Sequence, residues 1–210
     1  MREQNQDFMR QLKELIDNKD SAGLHEAVKD LHPADVADLV EELDTDEAVF
    51  FIQHVDSEIA ADILVELDDE QRKDVLDRLP NEDIADLVEE LDTDDAVDVI
   101  QELDKDDQEE VINQIEDMEQ AGDIVDLMQY DEDTAGGYMT TDMIVVNENL
   151  SMPECIKAMR EQAEEMDEIH NIYVVDDDNR LKGIFPLKTT ITNPSASKIK
   201  HVMEPDPLSV

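Results

Sequence analysis

The sequence predicts an α+β protein in which an all-α helical repeat domain precedes a small α/β module. Three observations lead to this expectation. The segment 35–46 returns almost unchanged at 83–94. Within each copy, apolar side chains recur at the spacing of one helix face. After Gly136 and Gly137 the pattern changes to short apolar runs separated by turn residues, which is typical of strands.

The repeat unit is about 24 residues long. The two strong copies begin at Asp35 and Asp83, 48 residues apart, and a weaker copy that includes Ala61 lies halfway between them. Apolar residues stand at i, i+3, i+4 and i+7 in each copy, so each copy presents one apolar helix face. Each unit is therefore expected to form two short helices.

Helix boundaries are expected where Leu-Asp-Thr-Asp recurs. Asp44 and Asp92 stand where an N-cap belongs, and an acidic residue follows three positions later, at Glu47 and Asp95. Short helices of this kind cannot bury their apolar faces alone, so they should stack into a superhelix that reaches roughly Gln129. The pattern itself does not give the handedness of that superhelix.

The second part of the sequence predicts a β-α-β-β order. Strands are expected at 143–146, 172–175 and 181–185, with a turn at 176–180 and a possible short helix after the last strand. A helix is expected from 151 to about 165, because Ser151 and Glu154 have the spacing of a capping box.

The charge of the chain favours metal ions as ligands and disfavours nucleic acid. Its 59 acidic and 16 basic side chains give a formal net charge of -43, which repels phosphate backbones and anionic membrane surfaces. Residues 1–135 carry 46 acidic and 9 basic side chains, and therefore -37 of this charge. Carboxylate oxygens suit hard cations such as magnesium or calcium.

Other classes of function find little support in the sequence. No nucleophile, base and orienting group are grouped, so an enzyme is not expected. Cys155 is the only cysteine, which excludes an intrachain disulfide and favours a reducing compartment. No apolar stretch approaches the ~20 residues of a membrane helix, so these residues are expected to be soluble and cytoplasmic.

The second part of the sequence resembles a CBS domain. The residues that carry the resemblance are Met139-Thr140, the run from Tyr173 to Asp176 and the run from Arg180 to Ile184. The segments 202–205 and 208–210 look like the opening of a second CBS copy that then stops, so the chain is expected to be truncated.

An acidic helical repeat joined to a CBS module through residues 130–140 resembles the MgtE family of magnesium transporters, over nearly the whole chain from Leu31. The resemblance implies a right-handed superhelical N domain. It also implies the following division of the chain: a helical lead-in at 1–30, the N domain at 31–132, a first CBS domain at 133–197 and the start of a truncated second CBS domain at 198–210.

The function that the resemblance implies is magnesium sensing on the cytoplasmic face of the cell membrane. In such a region, bound magnesium holds a compact state that closes the pore, and loss of magnesium lets the like-charged domains separate. The implied partners are magnesium ions, a second copy bound through the CBS domains, and a membrane pore and plug helix that these residues do not include.

Three aspartates are candidate metal ligands. Asp94 and Asp98 lie four positions apart, which places both carboxylates on one helix face, and the resemblance assigns both as magnesium ligands. Asp62 is the third candidate, because the family has a carboxylate at that place. With 59 acidic residues, any one of them can equally be solvated surface. Oxygen ligands alone do not distinguish magnesium from manganese or calcium.

Two alternatives remain open at this stage. One is a soluble regulatory protein of the same two domains without a pore. The other is an adaptor whose CBS module binds adenine nucleotides. Thr189 disfavours the second alternative, because it stands where nucleotide-binding relatives have an acidic residue.

Overall fold

The computed structural model describes residues 2–131, 134–163, 169, 171–194, 196–205 and 207. The chain divides into two compact units, Met1–Met139 and Thr140–Val210. The first unit is helical and the second contains a small mixed sheet, which confirms the predicted α+β class.

The first unit is a succession of short helices with the predicted period. Its helices are α1 (Arg2–Asp17), α2 (Ser21–Val28), α3 (Pro33–Val40), α4 (Thr45–Ile52), α5 (Ser57–Glu66), α6 (Asp69–Leu76), α7 (Asn81–Val88), α8 (Thr93–Gln101), α9 (Lys105–Gln114) and α10 (Met118–Leu127). The first residues of α3, α5, α7 and α9 are 24 positions apart, so each repeat contributes two helices. The last helix ends close to the predicted limit at Gln129.

Acidic residues occupy the N-cap position of most of these helices, as the sequence predicts for α4 and α8, whereas His32 and Pro80 precede α3 and α7. At the start of α4, the Glu47 backbone N–H donates to Asp44 Oδ1 (2.9 Å) and the Asp44 backbone N–H donates to Glu47 Oε2 (3.1 Å), which completes a capping box. Asp92 occupies the N-cap position of α8. A side-chain acceptor at this position satisfies backbone donors that the helix itself cannot pair.

The helices stack in two rows around one core. In one row α3 packs against α5, α5 against α7 and α7 against α9, while in the other α4 packs against α6 and α8 against α10. The core runs from Met9 to Leu127 and includes the fully buried side chains of Leu12, Leu24 and Phe51. Burial of each such side chain contributes about 1.5–3 kcal/mol to folding. The handedness of the stack stays a prediction.

The second unit is a four-stranded sheet with one crossover helix. Its elements are β1 (Ile144–Asn147), α11 (Met152–Gln162), β2 (Asn171–Val175), β3 (Leu181–Pro186), α12 (Thr189–Thr192) and β4 (Glu204–Pro205). The strand order is β1-β2-β3-β4; β1 and β2 are parallel, and the other pairs are antiparallel. Parallel neighbours require a crossover connection, which α11 provides. The ends of β1, β2 and β3 lie within one residue of the predicted strands, whereas β4 was not predicted.

Local hydrogen bonds explain the predicted helix start and turn. Ser151 N–H donates to Glu154 Oε2 (2.8 Å), and the hydrogen bonds from the Ser151 side chain and backbone lower the pKa of Glu154. The predicted helix end near residue 165 lies outside the described residues. In the turn after β2, the backbone N–H groups of Arg180 and Asp178 donate to Asp176 and lower the pKa of that carboxyl.

The segment 198–205 lies within the second unit. Ile199 is fully buried in the core that Ile144, Ile172 and Phe185 also form, and β4 pairs with β3. The assignment of 198–210 to a second CBS domain, like the other domain boundaries, stays a prediction. Cys155 belongs to the same core, and burial raises the pKa of its thiol to about 11.

Candidate cation site

Asp94 and Asp98 lie on one face of α8, as the sequence predicts. Asp94 is the second residue of that helix and is half-buried, and Asp98 is exposed about one turn later. Side chains four positions apart on a helix are neighbours, so the two carboxylates face the same volume. They form the pair on which the candidate site is built.

A third carboxylate, Asp95, lies beside this pair. Asp95 lies at the protein surface, yet partial desolvation by the surrounding protein and the negative charges of Asp94 and Asp98 raise the pKa of its carboxyl. Glu66 adds to this effect and Arg72 opposes it. The three neighbouring carboxylates therefore repel one another at neutral pH. From the sequence, Asp95 is identified only as a helix-capping residue. The run of aspartates at 92, 94 and 95 is the available signal that Asp95 also belongs to the acidic cluster.

Asp98 lines a hollow of about 590 Å³ in the first unit. Its other lining residues come from α6, from the end of α8 and from the segment after α10: Asp69, Arg72, Lys73, Gln101, Glu102, Gly137 and Tyr138. Three carboxylates and two basic side chains thus surround the same space. The hollow combines oxygen donors for a cation with a nearby positive charge.

Arg72 and Glu102 form an ion pair in the wall of this hollow. Arg72 Nε donates to Glu102 Oε1 at 2.8 Å, and Arg72 Nη1 donates to the carbonyl of Val65 at 3.1 Å. Burial alone would lower the pKa of Arg72, but the hydrogen bond and charge of Glu102, with the charges of Asp69 and Asp98, raise it above its ordinary value. The guanidinium is therefore a permanent positive charge close to Asp98.

Asp62 lies in a different hollow, so the structure does not bring all three predicted ligands together. It is half-buried on α5 and lines a space of about 400 Å³, whose polar lining also includes His25, Lys29, Asp56 and Glu58. No residue that lines this space lines the hollow of Asp98. The roles of Asp62, Asp94 and Asp98 as metal ligands stay predictions.

No complete metal cage is present in the part of the chain that the structure describes. Among those residues, no group of three or more His, Cys, Asp or Glu side chains is arranged to hold a metal ion. Magnesium commonly keeps several water ligands and binds through only one or two carboxylates. The pair of Asp94 and Asp98 fits a half-site of that kind.

Thr189 is the first residue of α12, directly after β3 and the turn that follows it. Its backbone carbonyl accepts a hydrogen bond from Asn193 Nδ2 (3.0 Å). The position that the sequence analysis compared with an acidic residue of nucleotide-binding relatives therefore carries a hydroxyl. No helix among the described residues is long and apolar enough to cross a lipid bilayer.

The fold defines a class of two-domain regions in which a stack of paired helices precedes a β-α-β-β module of the CBS type. Comparison with protein families agrees with this division. Residues 31–133 match the MgtE intracellular N domain, and residues 135–191 match the CBS domain. The chain therefore belongs to the MgtE family, which confirms the resemblance drawn from the sequence.

Two curated relatives are similar over part of this chain. The magnesium transporter MgtE of Thermus thermophilus is 35% identical over 79 residues, which are 38% of this chain and 18% of the relative. The magnesium transporter MgtE of Enterococcus faecalis is 32% identical over 92 residues, 44% of this chain and 20% of the relative. The chain thus aligns with about a fifth of each relative.

Two solved structures are similar over almost the whole chain. The cytosolic domain of the Mg²⁺ channel MgtE in complex with ATP has a TM-score of 0.86 and 28% identity, covering 96% of this chain and 82% of that one. The soluble part of a magnesium transporter has a TM-score of 0.85 and 26% identity, covering 98% of this chain and 80% of that one.

Proposed function

We propose that this chain is the magnesium-sensing regulatory region of an MgtE-type magnesium transporter, on the cytoplasmic face of the membrane. Divalent cations that bind its acidic surface favour a compact state that closes the pore. The observation that carries the proposal is the shared helix face of Asp94 and Asp98, beside Asp95 and within a strongly acidic domain. Catalytic activity is not part of this role.

The physical basis is neutralisation of charge. A net charge of -37 on residues 1–135 favours expanded arrangements, because like charges repel. A cation that binds a compact arrangement better than an open one shifts the population toward it, by as much as its two affinities differ. Asp94 and Asp98 supply two oxygen donors, and water or a second protein surface completes the coordination.

The partners follow from the same proposal. A second copy of the chain binds through the CBS module, and the pore and plug helix of the parent transporter receive the signal. The matched transporters are magnesium transporters by name, which supports magnesium as the ion. Asp62 lies in its own hollow and is proposed as a ligand of a separate, weaker cation site.

Calorimetric titration of the 210-residue chain with magnesium chloride tests the proposal. The double variant Asp94→Asn, Asp98→Asn is expected to weaken binding at least about tenfold, since it removes both charged donors. The matched control is Asp106→Asn with Glu110→Gln, which removes two exposed carboxylates at the same spacing on α9. Equal loss in both double variants would show diffuse charge screening and no defined site.

Adenine-nucleotide binding by the CBS module is a second candidate function. It is supported by the similar cytosolic domain that was crystallised in complex with ATP. Thr189 opposes it, because a hydroxyl replaces the expected carboxylate. Titration with ATP and AMP distinguishes the two possibilities. If nucleotide binds, Thr189→Asp should tighten binding, and an unchanged affinity would remove Thr189 from the site.

A further inference from the structure

Arg72 is held more firmly than a surface arginine. Only 16% of its side chain is exposed. It donates to Glu102 through Nε (2.8 Å) and Nη2, to the carbonyls of Val65 (3.1 Å) and Leu67 (3.3 Å) through Nη1, and to Asp69 Oδ1 (3.3 Å) through Nη2. These acceptors fix the guanidinium at the junction of α5 and α6. Its positive charge therefore has a defined position.

Glu102 compensates this charge with one oxygen only. Both Nε and Nη2 of Arg72 donate to Oε1 of Glu102. The other oxygen, Oε2, is buried and accepts no hydrogen bond from any group that the structure describes. A second, parallel hydrogen bond would be expected of a bidentate arginine–carboxylate pair. The pairing is therefore incomplete on the carboxylate side.

The pair of Arg72 and Glu102 lies close enough to Asp98 to affect a bound cation electrostatically. Arg72 and Glu102 line the same hollow as Asp98, and the charges of Arg72 and Asp98 interact. A guanidinium attracts the carboxylates and repels any metal ion that approaches them. Because Arg72 is mostly buried, bulk water and salt screen this repulsion less than they would at an exposed position.

We infer that Arg72 is a built-in counter-charge that lowers the cation affinity of Asp94 and Asp98, and that Glu102 limits how strongly it does so. The inference rests on the proposed function, since it concerns regulation of the same site. Without this counter-charge, three neighbouring carboxylates within residues 1–135, which carry a net charge of -37, would bind cations at low cation concentration. The fixed positive charge of Arg72 raises the magnesium concentration at which the site becomes occupied.

A double-mutant cycle on this pair separates an electrostatic role from a structural one. Arg72→Gln removes the positive charge and should tighten magnesium binding by about three- to tenfold. Glu102→Gln leaves Arg72 uncompensated and should weaken binding by a similar factor. The double variant restores the net charge of the pair and should bind within about twofold of the parent chain. Calorimetric titration with magnesium chloride measures all four proteins.

Opposite signs for the two single variants are the signature of the electrostatic role. Arg10→Gln is the control for total charge, because Arg10 is exposed on α1 and lines neither hollow; it should leave the affinity unchanged. Changes of the same sign in Arg72→Gln and Glu102→Gln would overturn the inference, since a lost structural contact acts in one direction. If Arg72→Gln does not fold by itself, the comparison of Glu102→Gln with the double variant decides, because removal of the Arg72 charge from a chain that already lacks the Glu102 carboxylate should tighten binding, whereas a lost structural contact should not.

The outcomes also separate this inference from the proposed function. If the parent chain binds magnesium and Asp94→Asn with Asp98→Asn weakens it, while Arg72→Gln and Glu102→Gln leave affinity unchanged, only the inference on Arg72 fails. If the parent chain binds no magnesium, the proposed function fails and the inference fails with it.

Discussion

The side-chain amide of Gln71 donates a hydrogen bond to the backbone carbonyl of Val40, 2.9 Å away at the end of α3. A similar contact is made 48 residues after Val40, where Gln120, near the start of α10, donates to the carbonyl of Val88 at 3.3 Å. Glu41 strengthens the first junction by accepting from the backbone N–H of Asp68 at 3.1 Å. Each of these glutamines thus acts as a clamp between the end of one helix and the start of another.

Replacement of Gln71 by alanine should lower the free energy of unfolding by about 1 kcal/mol. The variant loses a partly buried hydrogen bond between two repeats, and this is the usual net contribution of such a bond. Gln114→Ala is the matched control, since Gln114 is exposed and its side-chain amide donates to Glu110 on its own helix. Urea unfolding measures both variants, and equal shifts in the two would show that the clamp does not stabilise the stack.

Two glycines should respond to alanine in opposite directions. A Cβ at Gly122, inside α10, meets no atom within 4 Å, so Gly122→Ala should raise the free energy of unfolding by about 0.5–1 kcal/mol. A Cβ at Gly136 would collide with the Tyr130 ring at Cδ1 and Cγ, so Gly136→Ala should destabilise the segment after α10.

Limited proteolysis after Tyr130, together with thermal unfolding, measures the effect at Gly136. Adding Tyr130→Ala to the Gly136→Ala variant should restore part of the lost stability, because the smaller side chain at 130 makes room for the new methyl group. If Gly136→Ala is as stable as the parent chain, the close packing of Tyr130 on Gly136 is not a constraint.

Asp95→Asn should stabilise the first unit at neutral pH in the absence of divalent cations. The folded state raises the pKa of Asp95, so it binds a proton more tightly than the unfolded chain. Stability then falls as the pH rises from the unfolded pKa through the folded one, and the penalty is fully present at neutral pH. Asparagine removes that penalty, by up to about 0.5 kcal/mol, because solvent screens a partly exposed charge.

Urea unfolding in a chelating buffer measures this gain. Asp106→Asn is the control, since it removes an exposed aspartate from the first turn of α9, just as Asp95 lies in the first turn of α8. As the pH is lowered toward 4, the difference between Asp95→Asn and the parent chain should disappear. A gain of equal size in Asp106→Asn would point to total charge and away from the local cluster.

Local patterns account for what the sequence predicts correctly. The capping pairs Asp44 with Glu47 and Ser151 with Glu154 are three residues apart, and the helix period is visible within one repeat. Strand positions follow from apolar runs bounded by turn residues. Such features depend on neighbours in sequence, so they can be recognised before the fold is known.

Long-range contacts account for what the sequence does not reveal. Arg72 and Glu102 are 30 residues apart in sequence. They meet because the stacking of the helices brings α6 and the end of α8 to the same hollow. The burial of Ile199 depends on packing against strands far away in sequence. Asp62 lies on α5, and stacking places it in a different hollow from Asp98. No local pattern carries this information.

Small-angle scattering during a magnesium titration tests the central proposal most directly. The radius of gyration of the chain should fall and level off as magnesium chloride is raised to about 50 mM, and sodium chloride of matched ionic strength should produce a smaller change. A variant carrying Asp94→Asn and Asp98→Asn should need more magnesium for the same compaction. An unchanged radius of gyration over this range, or equal compaction by the two salts, would contradict magnesium sensing by this chain.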